Sequence, residues 1–349
     1  TYGSVGSGSG SKVGNTVEIT GWSGTSVTVT LTYTTAATYS NRANVTSTSA
    51  TYTDSAWSST DSIIISASYA FQGSSYGFTA GGYSSQNVID RFALASTSIC
   101  VDWGNLFAGQ EYHAGCSSTT DGVTAAHNRR DKFSFTSSSG AADHGDMFVN
   151  TEGCAGTSTE TDGYVSGGRF LNAIDKFSFS SNATATDFGN LTVSRASVSS
   201  QTSTDYGYTS GGMNYDDGPA NNTIDRFAFG SAADATDWGD LTTARIYPYG
   251  ASSSTHGYVF GGHASSNGSS YSSNEQFSFS TWSTTVAWGD LTVAKNMGAS
   301  HSGTDYGYAA GGNATTNVIE RFPFASNAVS SDVGDLTVSR RSCTGGMQY

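Results

Sequence analysis

The chain has 349 residues, of which 12% are charged and 12% aromatic, with a formal net charge of −13. That aromatic content supplies core material that disordered Gly/Ser-rich chains lack, and the few, dispersed Lys and Arg residues weigh against nucleic acid as a partner. Only three prolines occur and no apolar run approaches the roughly 18–20 residues needed to cross a bilayer, so the class reads as all-β without membrane insertion.

Residues 1–13 are rich in Gly and Ser and read as a flexible tether. Residues 14–66 form an N-terminal β segment with two strand-like runs, Ser26–Tyr33 and Asn44–Thr53, followed by the segment around Trp57. From residue 67 to the C-terminus the chain is built of repeats of about 45 residues, a period that signals stacked β units. The first motif is Gly207-Tyr-Thr-Ser-Gly-Gly212, with copies opening at Gly77, Gly163, Gly257 and Gly307 and a degenerate copy at Gly122. The second is an acid, a polar residue and Phe, as in Asp225-Arg-Phe227, followed two positions later by Leu94, Phe135, Phe179, Phe229, Phe279 or Phe324. Spacing of two puts both bulky side chains on one face of a strand, where they pack between neighbouring sheets. The third is an aromatic-Gly turn, best seen in Asp237-Trp-Gly-Asp-Leu-Thr242, with His144 and Val333 replacing the aromatic in two copies.

The third-motif Gly stands 18 residues before the next opening Gly in all five cases (104, 145, 189, 239 and 289), which marks that stretch as scaffold. The stretch from the Gly-Gly pair to the third-motif Gly varies from 18 to 27 residues, as surface loops do. A sheet of about four short strands cannot bury both faces alone, and stacking such sheets in a ring solves this, which predicts a β-propeller. Counting 18 residues on from Gly334 overshoots the chain by three, so residues 340–349 read as a lone strand of the next blade. Counting back 18 from Gly77 lands beside Trp57, which reads as a worn third motif. These ends predict a seventh blade closed by both termini. The alternative is six blades plus a separate N-terminal β segment.

The Gly-Gly strand, aromatic strand and Trp turn resemble kelch repeats of galactose oxidase-type propellers. The fuller signature over 224–245 is similar to kelch-like repeats of bacteriophage structural proteins, especially marine ones, and the resemblance covers residues 70–349. It implies a virion-surface or extracellular propeller, a fibre, tail or decoration component with other virion or appendage subunits as partners. The aromatic-to-Trp gap, Phe227 to Trp238, is longer than in standard kelch repeats. The copper site of the oxidase-type enzymes does not carry over. The six histidines (113, 127, 144, 256, 263 and 301) fall in different repeats without ligand spacing, and no cofactor is expected. The four cysteines (100, 116, 154 and 343) read as single buried thiols. Cys154 and Cys343 share a repeat offset, which puts them on different blades, too far apart for a disulfide unless those blades adjoin near the axis.

Acids that recur in every repeat read as turn and ion-pair residues, since a residue present in each blade is no unique catalyst. Arg91, Arg226 and Arg321, and Arg195, Arg245 and Arg340, are expected to pair with repeat acids such as Asp102 or Asp240. Binding is sought in what does not repeat. The long loops after Gly-Gly in repeats four and five carry Tyr215, Asp216, Asp217, Asn221 and Tyr271, and Tyr247-Pro-Tyr249 lies in the connection between those repeats. Tyr rings with Asn and Asp suit glycan recognition, by stacking and by hydrogen bonds to hydroxyls. Asn214, Asp216 and Asp217 lack a defined Ca²⁺-ligand spacing. The sequence therefore leads to a non-enzymatic adhesin or structural propeller that binds host-surface glycan. The alternative is a carbohydrate-active enzyme on the same scaffold, and a homo-oligomer is compatible with either.

Overall fold

A computed structural model describes residues 71–97, 99–216, 218–265, 268–313 and 316–348, and the backbone of four strands before them. Those four form two hairpins, Ser9–Val13 with Thr16–Thr20 and Ser26–Thr32 with Thr60–Ser66. They belong to a compact unit, residues 1–69, distinct from the unit of residues 70–349. Part of the stretch read as a tether is thus strand. The run Asn44–Thr53 and Trp57 lie outside the described residues.

The larger unit is a propeller of six antiparallel sheets. Blade three shows the plan: Ala155–Ser158 innermost, then Asp162–Ser166, Ala173–Ser178 and Thr186–Asn190 outermost. Blades four, five and six repeat it. In blade two, strand conformation is continuous over Asp121–Ser134, which takes the place of the two middle strands and turns at His127, whose φ is 55°. His127 stands where the other repeats have the second Gly of the Gly-Gly pair, and it adopts the left-handed conformation that glycine would.

The seven-blade expectation is corrected to six. The C-terminal strand Thr344–Gln348 pairs with Tyr76–Gly82 and completes blade one, whose outer strands are Gln86–Ala93 and Val101–Asn105. The reason lies in where a blade begins. Each innermost strand precedes the Gly-Gly motif and starts ten residues after the previous third-motif Gly, as Ala114, Ala155, Ser199, Tyr249, Ala299 and Thr344 do. Among the described residues, the first motif at Gly77 pairs with no such strand before it in sequence, and Thr344–Gln348 takes that place. The lone C-terminal strand was read correctly, but the next blade is the first one.

The motifs are steric contracts between strands. The opening Gly sits directly across from the Phe of the third strand (Gly77↔Phe92, Gly163↔Phe177, Gly207↔Phe227, Gly257↔Phe277, Gly307↔Phe322). The Phe ring lies flat over the glycine, so a Cβ there would overlap the ring in all six blades. The second bulky residue stacks on the middle-strand aromatic of the previous blade: Phe78–Phe135 at 4.7 Å, Tyr208–Phe279 at 4.9 Å and Tyr258–Phe324 at 4.7 Å. The third-motif Trp also reaches across blades, Trp103 donating to Ser134 O at 2.9 Å and Trp238 to Ser278 O at 3.0 Å. His144, in a Trp position, makes the same bond to Ser178 O at 3.1 Å, whereas Phe188 and Val333 fill the position by packing alone.

Candidate functional site

Charge placement separates scaffold from site. Arg195, Arg245 and Arg340 are fully buried and pair with Asp225, Glu275 and Asp90, acids of the third strand. Lys295 holds Glu320 in the same way at 3.5 Å. The expected turn acids are not the partners: Asp102 caps its own turn through the Gly104 N–H at 3.0 Å, and Asp143, Asp187, Asp237 and Asp332 do likewise. Arg91, Arg226 and Arg321 make no ion pair among the described residues. Arg226 lies 3.5 Å over Trp238 and 4.3 Å over Tyr206, and Arg91 covers Trp103 and Tyr76 similarly. The repeated charges thus brace the ring.

The connector that leads into each innermost strand and the loop after Gly-Gly lie on one face, because the strands between them run out and back. Isolated bridges join the two, Ala196 to Met213 and Ile246 to His263. On this face the connectors converge on the axis. The residue eight positions after each third-motif Gly is Tyr112, Gly153, Ser197, Tyr247, Met297 and Ser342, and all six have φ between 50° and 66°. Their backbone groups form a closed circle. Gly153 N–H donates to Tyr112 O at 2.6 Å, Ser197 to Gly153 at 2.7 Å, Tyr247 to Ser197 at 2.9 Å, Met297 to Tyr247 at 3.4 Å, Ser342 to Met297 at 2.5 Å, and Tyr112 to Ser342 at 3.0 Å. The left-handed backbone turns each peptide to face the next blade, which offsets its steric cost.

Deeper along the axis five of the six junctions between innermost strands are linked by a backbone N–H donating to a side chain, all but that between blades three and four. Ser117 N–H donates to Ser158 Oγ, Thr202 to Ser252 Oγ, Ser252 to Ser302 Oγ, Ser302 to Gln348 Oε1 and Gln348 to Ser117 Oγ. The strands are so close that a Cβ on Gly115, Gly156, Gly250 or Gly345 would strike the neighbouring strand's carbonyl. An axial cavity of about 100 Å³ opens here, lined by the mouth residues, Tyr112 and Tyr247 among them, and by Ser200, Ser300 and Ser302 of the innermost strands. That volume suits a few water molecules or one small group, not a sugar ring. Buried His113 and His301 are neutral, since burial lowers their pKa values to about 3.

Over the mouth, Tyr112 and Tyr247 come from blades two and five, on opposite sides of the ring, yet their ring centroids are 5.8 Å apart. Tyr247 also stacks on His263 at 5.7 Å, with the planes within 8°. Beside them the half-buried Glu152 pairs with His127 at 3.6 Å and Arg169 at 3.8 Å.

The sequence-predicted residues divide. Tyr247 lies at this mouth, half-buried. Tyr215 is 60% exposed on its loop with Asp216 exposed beside it, while Asp217 lies outside the described residues. Tyr249 lies in the core. It is buried, stacks on Phe260 at 5.4 Å and donates to Gly311 O at 3.1 Å. Asn221 braces Arg195 and the Thr223 N–H, and Tyr271 covers the Arg245 guanidinium at 5.4 Å, so both are tied to the scaffold. Tyr112 was missed, although it stands at the same repeat offset as Tyr247. The four cysteines are free and buried. No protein-family model matches the chain, and no curated protein matches it in sequence.

Proposed function

We propose that the protein is a non-enzymatic, surface-displayed propeller, part of a virion or extracellular appendage, whose connector face binds host-surface glycan. The observation that carries the binding reading is the pair Tyr112 and Tyr247, half-buried at the axial mouth with exposed Tyr215 on the same face. Aromatic rings fixed on one side and open on the other offer an apolar sugar face a stacking surface, with nearby hydroxyls for its polar edge. The non-enzymatic reading is supported by the repeated acids: five turn acids cap their own turns, and five of the six strand acids are paired with a base. The assignment to a virion or appendage, and to assembly with other such subunits, rests on the repeat resemblance.

The test is a glycan array probed with the intact chain, beside the Tyr112→Ala/Tyr247→Ala double variant and Tyr215→Ala. Binding that falls at least tenfold in the double variant, with unchanged melting and no glycan cleavage, supports the reading. Binding that is absent from the intact chain, or indifferent to all three tyrosines, refutes it, and release of sugar would favour the enzymatic alternative.

A further inference from the structure

Six buried acids head the third strands, and five have a basic partner. Four take it from the connector: Asp90, Asp225, Glu275 and Glu320 from Arg340, Arg195, Arg245 and Lys295. In blade two the connector position is Gln110, and Arg129 approaches Asp131 instead at 3.0 Å. Blade three departs from both solutions. Its connector residue is Thr151, whose hydroxyl donates to Gly167 O at 2.7 Å, and Asp175 makes no ion pair among the described residues.

Asp175 is 1% exposed. Its Oδ2 accepts the N–H groups of Phe148 and Val149, each at 3.0 Å, while its Oδ1 is buried and without a partner. It also lacks the threonine that caps the acid in blades one, four and six, as Thr192 caps Asp225 at 2.6 Å, because that position is Phe148 here, as it is Phe107 in blade two. The neighbouring Arg130 spends its guanidinium on the carbonyls of His144, Asp146 and Ala183. Asp187, opposite Asp175 across the strand pair, is engaged with the Gly189 N–H.

In blade five the Arg245 guanidinium fills its slot by donating to Gly261 O and Ser273 O, both at 2.9 Å, as well as to Glu275. The corresponding carbonyls in blade three are those of Gly167 and Ala173, related to each other by the same 2.9–3.1 Å backbone bond. We propose that this slot is a cation site: the carboxylate of Asp175, with the carbonyls of Gly167 and Ala173 and the Thr151 hydroxyl, holds a small monovalent cation where the sister blades hold an Arg or Lys head. One uncompensated carboxylate among neutral oxygens matches a single positive charge, and hard oxygen donors suit potassium, sodium or ammonium.

The experiment is thermal melting of the full chain at alkaline pH and fixed ionic strength in chlorides of potassium, sodium, ammonium and tetramethylammonium. A cation that fits raises the midpoint by about 2 °C or more for each tenfold excess over its dissociation constant, and tetramethylammonium, too large for the slot, does not. Thr151→Arg supplies the charge internally and Asp175→Asn removes the need for it, so both abolish the dependence. Equal midpoints in all four salts overturn the proposal, as does a dependence that survives in Asp175→Asn. If Thr151→Arg does not fold, sodium-23 line broadening by the wild-type chain, lost in Asp175→Asn, decides in its place, and its absence counts against the site.

Discussion

Deleting residues 344–349 should open the ring, whereas deleting residues 1–69 should leave it closed. The strand Thr344–Gln348 is the innermost strand of blade one, and Met347 within it is fully buried against Phe78, Ile89, Leu106, Phe133 and Phe135. Emptying that position alone costs about 2–5 kcal/mol. Gln348 adds bonds from its amide to Phe71 O at 2.9 Å and from its backbone N–H to Ser117 Oγ at 2.9 Å, each worth about 1 kcal/mol. The loss, on the order of 5 kcal/mol or more, matches the low end of the total stability of a domain, about 5–15 kcal/mol. Melting followed by far-UV circular dichroism, with the reactivity of buried Cys116 and Cys154 as a probe of opening, distinguishes the two truncations. The C-terminal deletion should abolish cooperative melting or expose the thiols. The N-terminal deletion should shift the propeller's midpoint by no more than a few degrees. If removal of 1–69 opens the ring and removal of 344–349 does not, the six-blade closure is wrong.

Three further outcomes follow from the contacts. Gly163→Ala should destabilise by about 1–3 kcal/mol because its methyl would enter the Phe177 ring, whereas Gly230→Ala, with nothing within 4 Å, should be neutral in the same denaturant titration. Arg245→Met should cost about 3–5 kcal/mol at neutral pH, since burial raises and Arg245 then lowers the Glu275 pKa, and removing the cation leaves a buried charge; the deficit should shrink in acid, as measured by unfolding at two pH values. Burial raises the Asp175 carboxyl from 3.8 to about 6, so its stabilising contribution is complete below 3.8 and is lost as pH rises through about 6; in a salt of a large cation, the wild-type midpoint should fall across that window relative to Asp175→Asn, and parallel profiles would refute it.

The repeat geometry was legible because it is written in identities. A glycine under a Phe ring and two bulky residues two apart are local constraints that survive in all six copies, so blade, strand order and inter-blade packing could be read from Gly207, Phe227 and Phe229. Blade count was not, because closure depends on where a blade starts. The innermost strands carry only a faint signature: Ala114-Gly-Cys-Ser117 and Tyr249-Gly-Ala-Ser252 share a Gly and a Ser common throughout this chain, and their register shows only once Thr344 is counted from Gly334. The site divided for a related reason. Tyr249 and Tyr271 look like Tyr247 in composition, but one fills an inter-blade gap and the other shields a buried guanidinium, and neither task leaves a sequence signature. Tyr112 was readable in principle, since it shares the offset of Tyr247.

That offset explains how a closed ring can change what it presents. At the mouth the connecting hydrogen bonds run from backbone to backbone, so closure constrains φ and leaves the side chain free; the six positions hold Tyr, Gly, Ser, Tyr, Met and Ser without a break in the circle. At the deeper links the bonds run through Ser and Gln side chains, and there identity is held to small hydroxyl residues except where the C-terminal Gln348 must span the join. For the backbone circle, substitution at the mouth costs only the strain of a left-handed residue, on the order of 1 kcal/mol, whereas substitution a few residues on, within the innermost strand, breaks an inter-blade link. Variation at the axis can therefore accumulate on one face and not in the middle, and the two tyrosines that meet over the cavity stand where the scaffold tolerates it.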